Sequence, residues 1–249
     1  MKYEKKLLII PDIHTHYAKA ERIISKYKKT HKFIFTGDYF DNFGDTPELN
    51  ASTAKFLKDV MQEHPEWVYI FGNHDVIYHP QFSCMCSGFS TNKKTAINEV
   101  LEIEDWNKLK FFHVENGHWF SHAGITKYWF QHPVKEEINI ETVQAIIDES
   151  ITKLTLGNYD NAIWASSYAR GGIHTVGGIV WQDDSDMELI YNMHQVYGHT
   201  PIKKIRIISD NMLNASITNV DSSGSGVFLS ELLEIDENGN KSKLDTAWI

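Results

Sequence analysis

The sequence predicts an α/β fold in which two sheets pack face to face with helices outside. Three observations carry that expectation. Apolar runs of strand length alternate with stretches of helical period from residue 7 to residue 71, and a second set of β-type segments follows Thr175. Short motifs rich in Gly, Asp, Asn and His sit directly after the strand-like runs, where open α/β sheets present their ligands. The 249 residues fit one large domain of this class and suffice to bury a core without disulfide staples.

Taken in order, residues 7–10 form a continuous apolar run of strand length, followed by Asp12 and His14. Residues 16–30 show helical spacing, with Ala20, Ile23, Ile24 and Tyr27 on one side. Residues 32–36 read as a second strand ending at Gly37-Asp38, and residues 49–63 as a helix carrying Phe56, Leu57, Val60 and Met61 on one face. Residues 67–71 form a third strand, closed by Gly72-Asn73. This strand–helix alternation argues for βαβ units and a parallel sheet.

The middle of the chain reads differently. Residues 76–95 lack periodicity and predict a long loop near the site, while residues 110–114 and 118–121 predict a hairpin across Glu115-Asn116-Gly117. Residues 127–171 are aromatic and helical over 143–154, which predicts a cap or insertion on a single domain spanning 1–249. Strands are then expected at 178–181, 194–197, 204–208, 215–220 and 227–235.

Bulk properties exclude several functions. Lys and Arg number 24 against 33 Asp and Glu, a net charge of −9, and no basic face is legible, so a long nucleic acid is not an expected partner. The basic run at 26–32 reads as a solvated helix end. Cys84 and Cys86 are separated by one residue, which suits neither a disulfide nor a Cys-x-x-Cys zinc site; small buried hydrophobes in a reducing, cytoplasmic compartment are expected. The apolar run at 7–10 is too short for a signal or membrane segment. Oligomeric state is not legible.

Five motifs carry the chemistry: Asp12-Ile13-His14, Gly37-Asp38-Tyr39-Phe40-Asp41, Gly72-Asn73-His74-Asp75, Ser121-His122-Ala123-Gly124 and Gly198-His199-Thr200. Each alone is an ordinary turn; together, at successive strand ends, they supply the oxygen and nitrogen donors of divalent metals. Asp12 and His14 lie two apart, so an extended strand would point both to one side. Asp38 can bridge two ions, with Asn73, His122 and His199 completing the second ion's set of ligands. Two ions roughly 3.5–4 Å apart would clamp an in-line displacement and lower the pKa of a shared water, giving a bridging hydroxide. His74, beside Asn73, fits a general acid oriented by Asp41. Gly37 and Gly72 permit the turns that aim these side chains. Nine further histidines read as surface or packing residues, although His16 and His79 flank the motifs.

These motifs resemble those of the calcineurin-like metallophosphoesterases, and within them the phosphoprotein phosphatase branch, with Pro11 and Tyr197 extending the first and last matches. A softer match runs from Asn219 to Gly224 and on through Val227-Phe228-Leu229-Ser230. The resemblance spans about residues 5–235. It implies a four-layer αββα sandwich of two mixed sheets and a dinuclear centre with Asp38 bridging. Asp12 and His14 would hold one ion, Asn73, His122 and His199 the other, and His74 and Asp41 match the family's acid dyad. The branch usually has Arg-Gly after the position of Asp41, where Asn42-Phe43-Gly44 stands here, and an arginine where this chain has Phe71. Arginines grip the phosphate oxygens in that branch, so their loss argues against a dianionic monoester. Asn42 could donate a neutral hydrogen bond, and Arg170 is either a substitute clamp or a structural arginine.

The expected activity is a metal-dependent phosphoesterase acting on a small phosphorylated metabolite or nucleotide, with two Mn²⁺, Fe or Zn²⁺ ions as cofactor. A Ser/Thr protein phosphatase and a diadenosine-polyphosphate hydrolase are alternatives within the same chemistry. A metal-binding scaffold without activity is the alternative outside it.

Overall fold

The structure, a computed structural model, describes residues 6–129, 138–225 and 229–246. One five-stranded sheet contains β1 (Lys6–Ile10), β2 (His31–Phe35), β3 (Val68–Tyr69), β9 (Glu231–Ile235) and β10 (Lys241–Asp245), in the order β10-β9-β1-β2-β3. Its β1, β2 and β3 run parallel, while β9 is antiparallel to both β1 and β10. The second comprises β4 (Phe112–Glu115), β5 (His118–Ser121), β6 (His194–Tyr197), β7 (Arg206–Asp210) and β8 (Ala215–Asn219), ordered β4-β5-β6-β8-β7. It is mixed as well, with β5, β6 and β8 parallel and the two edges antiparallel.

Alternation along β1 explains the layering. Leu7 and Ile9 face one way and join Ile34, Val68, Phe120, Val196, Leu233 and Ile235 in the core between the sheets. Leu8 and Ile10 face the other way, with Phe33 and Phe35, toward α1 (Tyr17–Tyr27) and α2 (Pro47–Glu63). A strand buried on both faces must be apolar throughout, which is why the run at 7–10 was legible. Thr46 caps α2, its hydroxyl accepting from Leu49 N at 3.3 Å, and Pro47 occupies the first turn, where its missing N–H costs nothing. Among the described residues no helix is long and apolar enough to cross a membrane.

Several expectations need correction. Residues 76–95 are not loop throughout: α3 (Asn73–Val76) ends at the first of them, and α4 (Thr91–Asn98) begins within them and packs beside α2. A further turn of helix, α5 (Ile103–Trp106), and the edge strand β10 were not anticipated; β10 reads Lys-Ser-Lys-Leu-Asp, too polar to announce itself. The expected strand at 178–181 is a buried turn, with Gly178 N donating to Ala165 O at 2.6 Å and Ile179 N to Ala162 O at 2.9 Å. Its apolar character comes from packing with Ile163, not from a sheet. The final strand starts at Glu231; residues 227 and 228 of the expected strand lie outside the described residues, as do 130–137 of the expected cap. Within that cap region α6 (Ile140–Thr155) is helical as read, capped by the Asn139 side chain accepting from Thr142 N.

His79 and His118 are both buried, and burial pulls each imidazole down to about 4, aided by Lys94 and Lys241 respectively. Such a group is neutral in the folded state and binds a proton only after unfolding between pH 4 and its ordinary value near 6.5. Its stabilising contribution is therefore complete above pH 6.5 and lost as pH falls toward 4, on the order of 3 kcal/mol per histidine. We expect His79→Phe, in its cage of Phe71, Phe82 and Trp106, to flatten the pH 7 to pH 4.5 slope in urea unfolding. An unchanged slope would show that His79 does not contribute to it.

Candidate metal centre

The five motifs meet at one rim, where the ends of β1, β2 and β3 face those of β5 and β6. Asp12 and His14 do not share a side by strand alternation, because His14 and Thr15 leave the extended region with φ of 42° and 64°. Instead Ile13 N and His14 N both donate to Asp38 O at 2.9 Å, so the turn after β1 is laced to the turn after β2. Among the described residues nine non-glycine residues have positive φ, and five of them are His14, Thr15, Asp38, Asp41 and His199. Such backbone strain collects where surrounding structure must aim a functional side chain.

The Asp38 turn is held from behind. The buried Asp75 carboxylate accepts from Asp38 N at 2.7 Å, Tyr39 N at 2.8 Å and Gly72 N at 2.7 Å. This forces the two turns so close that a Cβ at Gly37 would lie 2.3 Å from Gly72 N, and one at Gly72 would lie 2.1 Å from Asp38 Oδ1. Gly37 also needs its φ of +103°, whereas Gly72 is required by contact alone.

Two groups of donors result, Asp12–His14–Asp38 and Asp38–His122–His199, each with its ligand atoms within 4.8 Å of one another. Asp38 is common to both, its Oδ2 lying 3.7 Å from His14 Nε2 and 3.5 Å from His122 Nε2. Asn73 Oδ1 and His199 Nδ1 lie 3.0 Å and 3.1 Å from His122 Nε2. His14 Nδ1 donates to Asp41 O at 2.6 Å and His122 Nδ1 to Thr36 O at 2.8 Å. Carbonyls only accept, so these bonds fix the rings with Nε2 inward, the arrangement that presents a lone pair to a metal.

The electrostatics ask for cations. Burial, and then the neighbouring Asp221 carboxylate, push Asp12 up to about 7. Burial pulls His122 down, but Asp38 and Asp12 outweigh it and raise the imidazole to about 9. Burial likewise opposes ionisation of Asp38, and the surrounding histidines, His122 foremost, overcome it and hold that carboxyl far below its ordinary range. His199 is kept neutral by burial and by His122, and its Nε2 is buried without a hydrogen-bond partner among the described residues. Clustered carboxylates and inward imidazole nitrogens, with no thiolate, fit divalent ions.

Beside this cluster His74 Nδ1 meets Asp41 Oδ2 at 3.0 Å, while His74 N donates to Asp38 Oδ1 at 2.9 Å. Cys86 Sγ is 3.8 Å from the same Nδ1. A cavity of about 430 Å³ opens over His14, Asp38, Asn73, His74 and His199, with Phe43 and Trp181 among its apolar lining. Asn42 lines it too, its Nδ2 2.9 Å from His16 Nε2. Arg170 also lines it, and pairs with Asp183 at 2.8 Å and with the Thr200 hydroxyl. Phe71 points elsewhere, stacking 4.9 Å from Phe111, and is not among the residues that line the cavity. His79 belongs to that same apolar region.

Sequence reasoning missed four residues around the cluster: Asp75 and Asp221, quoted within motifs but given no role, and Tyr78 and Lys93, which hydrogen-bond to Asp41. Polar identity beside a motif could have marked the first two. Nothing local marks Lys93.

The calcineurin-like phosphoesterase family model matches residues 5–203. The chain belongs to this family. As a calcineurin-like phosphoesterase it is a phosphoric ester hydrolase, and its two sheets have counterparts in solved structures. A cold-active protein-tyrosine phosphatase of a psychrophilic Shewanella is 18% identical, with a TM-score of 0.60 over 97% of this chain and 80% of that one. A protein serine/threonine phosphatase from Saccharomyces cerevisiae, with similarity to human phosphatase PP5, is 10% identical, with a TM-score of 0.58 over 99% and 81%. At such identities the likeness is one of fold. No curated protein matches the phosphoesterase chain.

Proposed function

We propose that this phosphoesterase hydrolyses a phosphate ester of a small metabolite or nucleotide, with two divalent ions held by Asp12, His14, Asp38, Asn73, His122 and His199. The observation that carries the reading is the sharing of Asp38 between two donor groups, one buried and one half-open at His14. When bound, such ions neutralise phosphoryl oxygens and ready a water for attack; Mn²⁺ suits this donor set, as do Fe and Zn²⁺.

The chain's own residues handle the leaving group and the substrate. Asp41 engages His74 Nδ1, so the proton to be delivered sits on Nε2, and the carboxylate stabilises the imidazolium before it protonates the departing oxygen. Arg170 offers a guanidinium at the cavity wall, partly committed to Asp183, and Asn42 a neutral donor at the rim. One partly neutralised arginine favours a substrate of low charge over a dianionic monoester. The cavity volume falls in the range of small-ligand pockets, and the Phe43 and Trp181 rings supply apolar surface for the organic part. A protein phosphatase is the second reading, favoured by the fully exposed Phe43 ring at the mouth, which a peptide could cover.

With Mn²⁺, we expect bis(p-nitrophenyl) phosphate to be hydrolysed in preference to p-nitrophenyl phosphate at equal concentration; a strong monoester preference would bring the protein-phosphatase reading forward. His74→Asn should lower turnover of an ester with a poor leaving group by roughly a hundredfold or more with metal content intact; undiminished turnover would remove His74 from the acid role. Arg170→Ala should raise KM by roughly tenfold with kcat little changed, and an unchanged KM would make the arginine structural.

A further inference from the structure

Lys93 lies on α4, outside every motif, yet its ammonium ends directly behind the acid dyad. Its Nζ is 2.8 Å from Asp41 Oδ1, 2.5 Å from Asp45 Oδ1 and 3.1 Å from Gly88 O. Three acceptors meet the three donors of an ammonium, and the side chain is 10% exposed. Asp41 Oδ1 also accepts the Tyr78 hydroxyl at 2.6 Å. That oxygen is therefore fully engaged, and the other, Oδ2, is the one that meets His74 Nδ1.

The surroundings make this a frame rather than a chance pair. Asn50 of α2 donates from Nδ2 to Asp45 Oδ2 at 2.5 Å, and its Oδ1 accepts Asp41 N at 3.3 Å. Asp41 sits at a φ of 65°, a conformation that such external contacts must sustain. A carboxylate held by one imidazole alone can turn about its last torsion and present either oxygen; two donors on Oδ1 block that turn. Lys93 is not among the residues lining the cavity, so it does not reach the substrate.

We propose that Lys93 is a positioning residue for proton delivery: it locks the Asp41 carboxylate so that Oδ2 holds His74 with Nε2 aimed at the leaving oxygen. Helix α4, within a stretch whose sequence reads as loop, thereby becomes part of the catalytic frame. This rests on the phosphoesterase reading above, and adds a cation behind Asp41 where the residue following it, Asn42, carries no charge.

The test compares the full chain with Lys93→Met, Lys93→Arg and Tyr78→Phe, loaded with Mn²⁺, on two esters differing only in leaving group, p-nitrophenyl and an unactivated alkyl alcohol. For Lys93→Met we expect kcat on the alkyl ester to fall about 30-fold and on the p-nitrophenyl ester less than about threefold, with KM and bound Mn²⁺ unchanged. Lys93→Arg should recover most of the loss, and Tyr78→Phe should show a smaller loss with the same leaving-group dependence. Equal losses on both esters, or losses that track reduced Mn²⁺ content, would overturn the proposal and leave Lys93 structural; so would an unchanged alkyl-ester kcat. Should Lys93→Met not fold, the Arg and Tyr78 variants decide on the same criteria. Turnover of neither ester by the unaltered protein would instead sink the phosphoesterase reading on which this one stands.

Discussion

Two buried carboxylates set back to back, Asp38 and Asp75, determine where everything else on the rim can be. Asp75 gives its oxygens to three backbone N–H groups, which draws the turns after β2 and β3 together until only glycine fits at 37 and 72. Asp38 is thereby pushed forward, and its own backbone carbonyl collects the turn after β1. His122 and His199 arrive from the other sheet, with His199 N bonded to the Asp12 carboxylate at 3.2 Å. The two sheets are thus tied at the place where the donors converge. Asp75 thus holds the turns that carry Asp38 and Asn73, although it belongs to neither donor group itself.

The chemistry of the site follows from how its charges are apportioned. The metal cluster is rich in carboxylate and imidazole but poor in fixed positive charge, and its nearest guanidinium, Arg170, already faces Asp183. A lysine is present too, yet it stands behind Asp41 and away from the cavity. Both cations thus face carboxylates, Lys93 against Asp41 and Arg170 against Asp183. That arrangement differs from the arginine-bearing pattern its motifs resemble, and it is the basis for proposing a substrate whose phosphate carries less charge.

Much of this was legible because it is local. Both faces of β1 are buried, so residues 7–10 had to be apolar; α1 and α2 each bury a single stripe, so their period showed. The ligand residues announced themselves as polar turns after those strands. What failed was whatever depends on distant partners. The run at 178–181 is apolar because Ile163 covers it, and a turn and a strand look alike when both are buried. Asp12 and His14 reach one ion group through a left-handed turn bonded to the Asp38 carbonyl, which strand alternation does not describe. Lys93 falls in a stretch that reads as loop and belongs to no motif; only Asp41 and Asp45, some fifty residues upstream in sequence, make it a buried ion.

The proposed chemistry stands on the sharing of Asp38 by two metal ions. It is tested most directly by titrating metal-free protein with Mn²⁺ while recording electron paramagnetic resonance. Two bound ions per chain, with the spectrum of an exchange-coupled pair that disappears in Asp38→Asn, is the expected result. A single isolated ion, no bound ion, or a coupled pair that survives Asp38→Asn would contradict it.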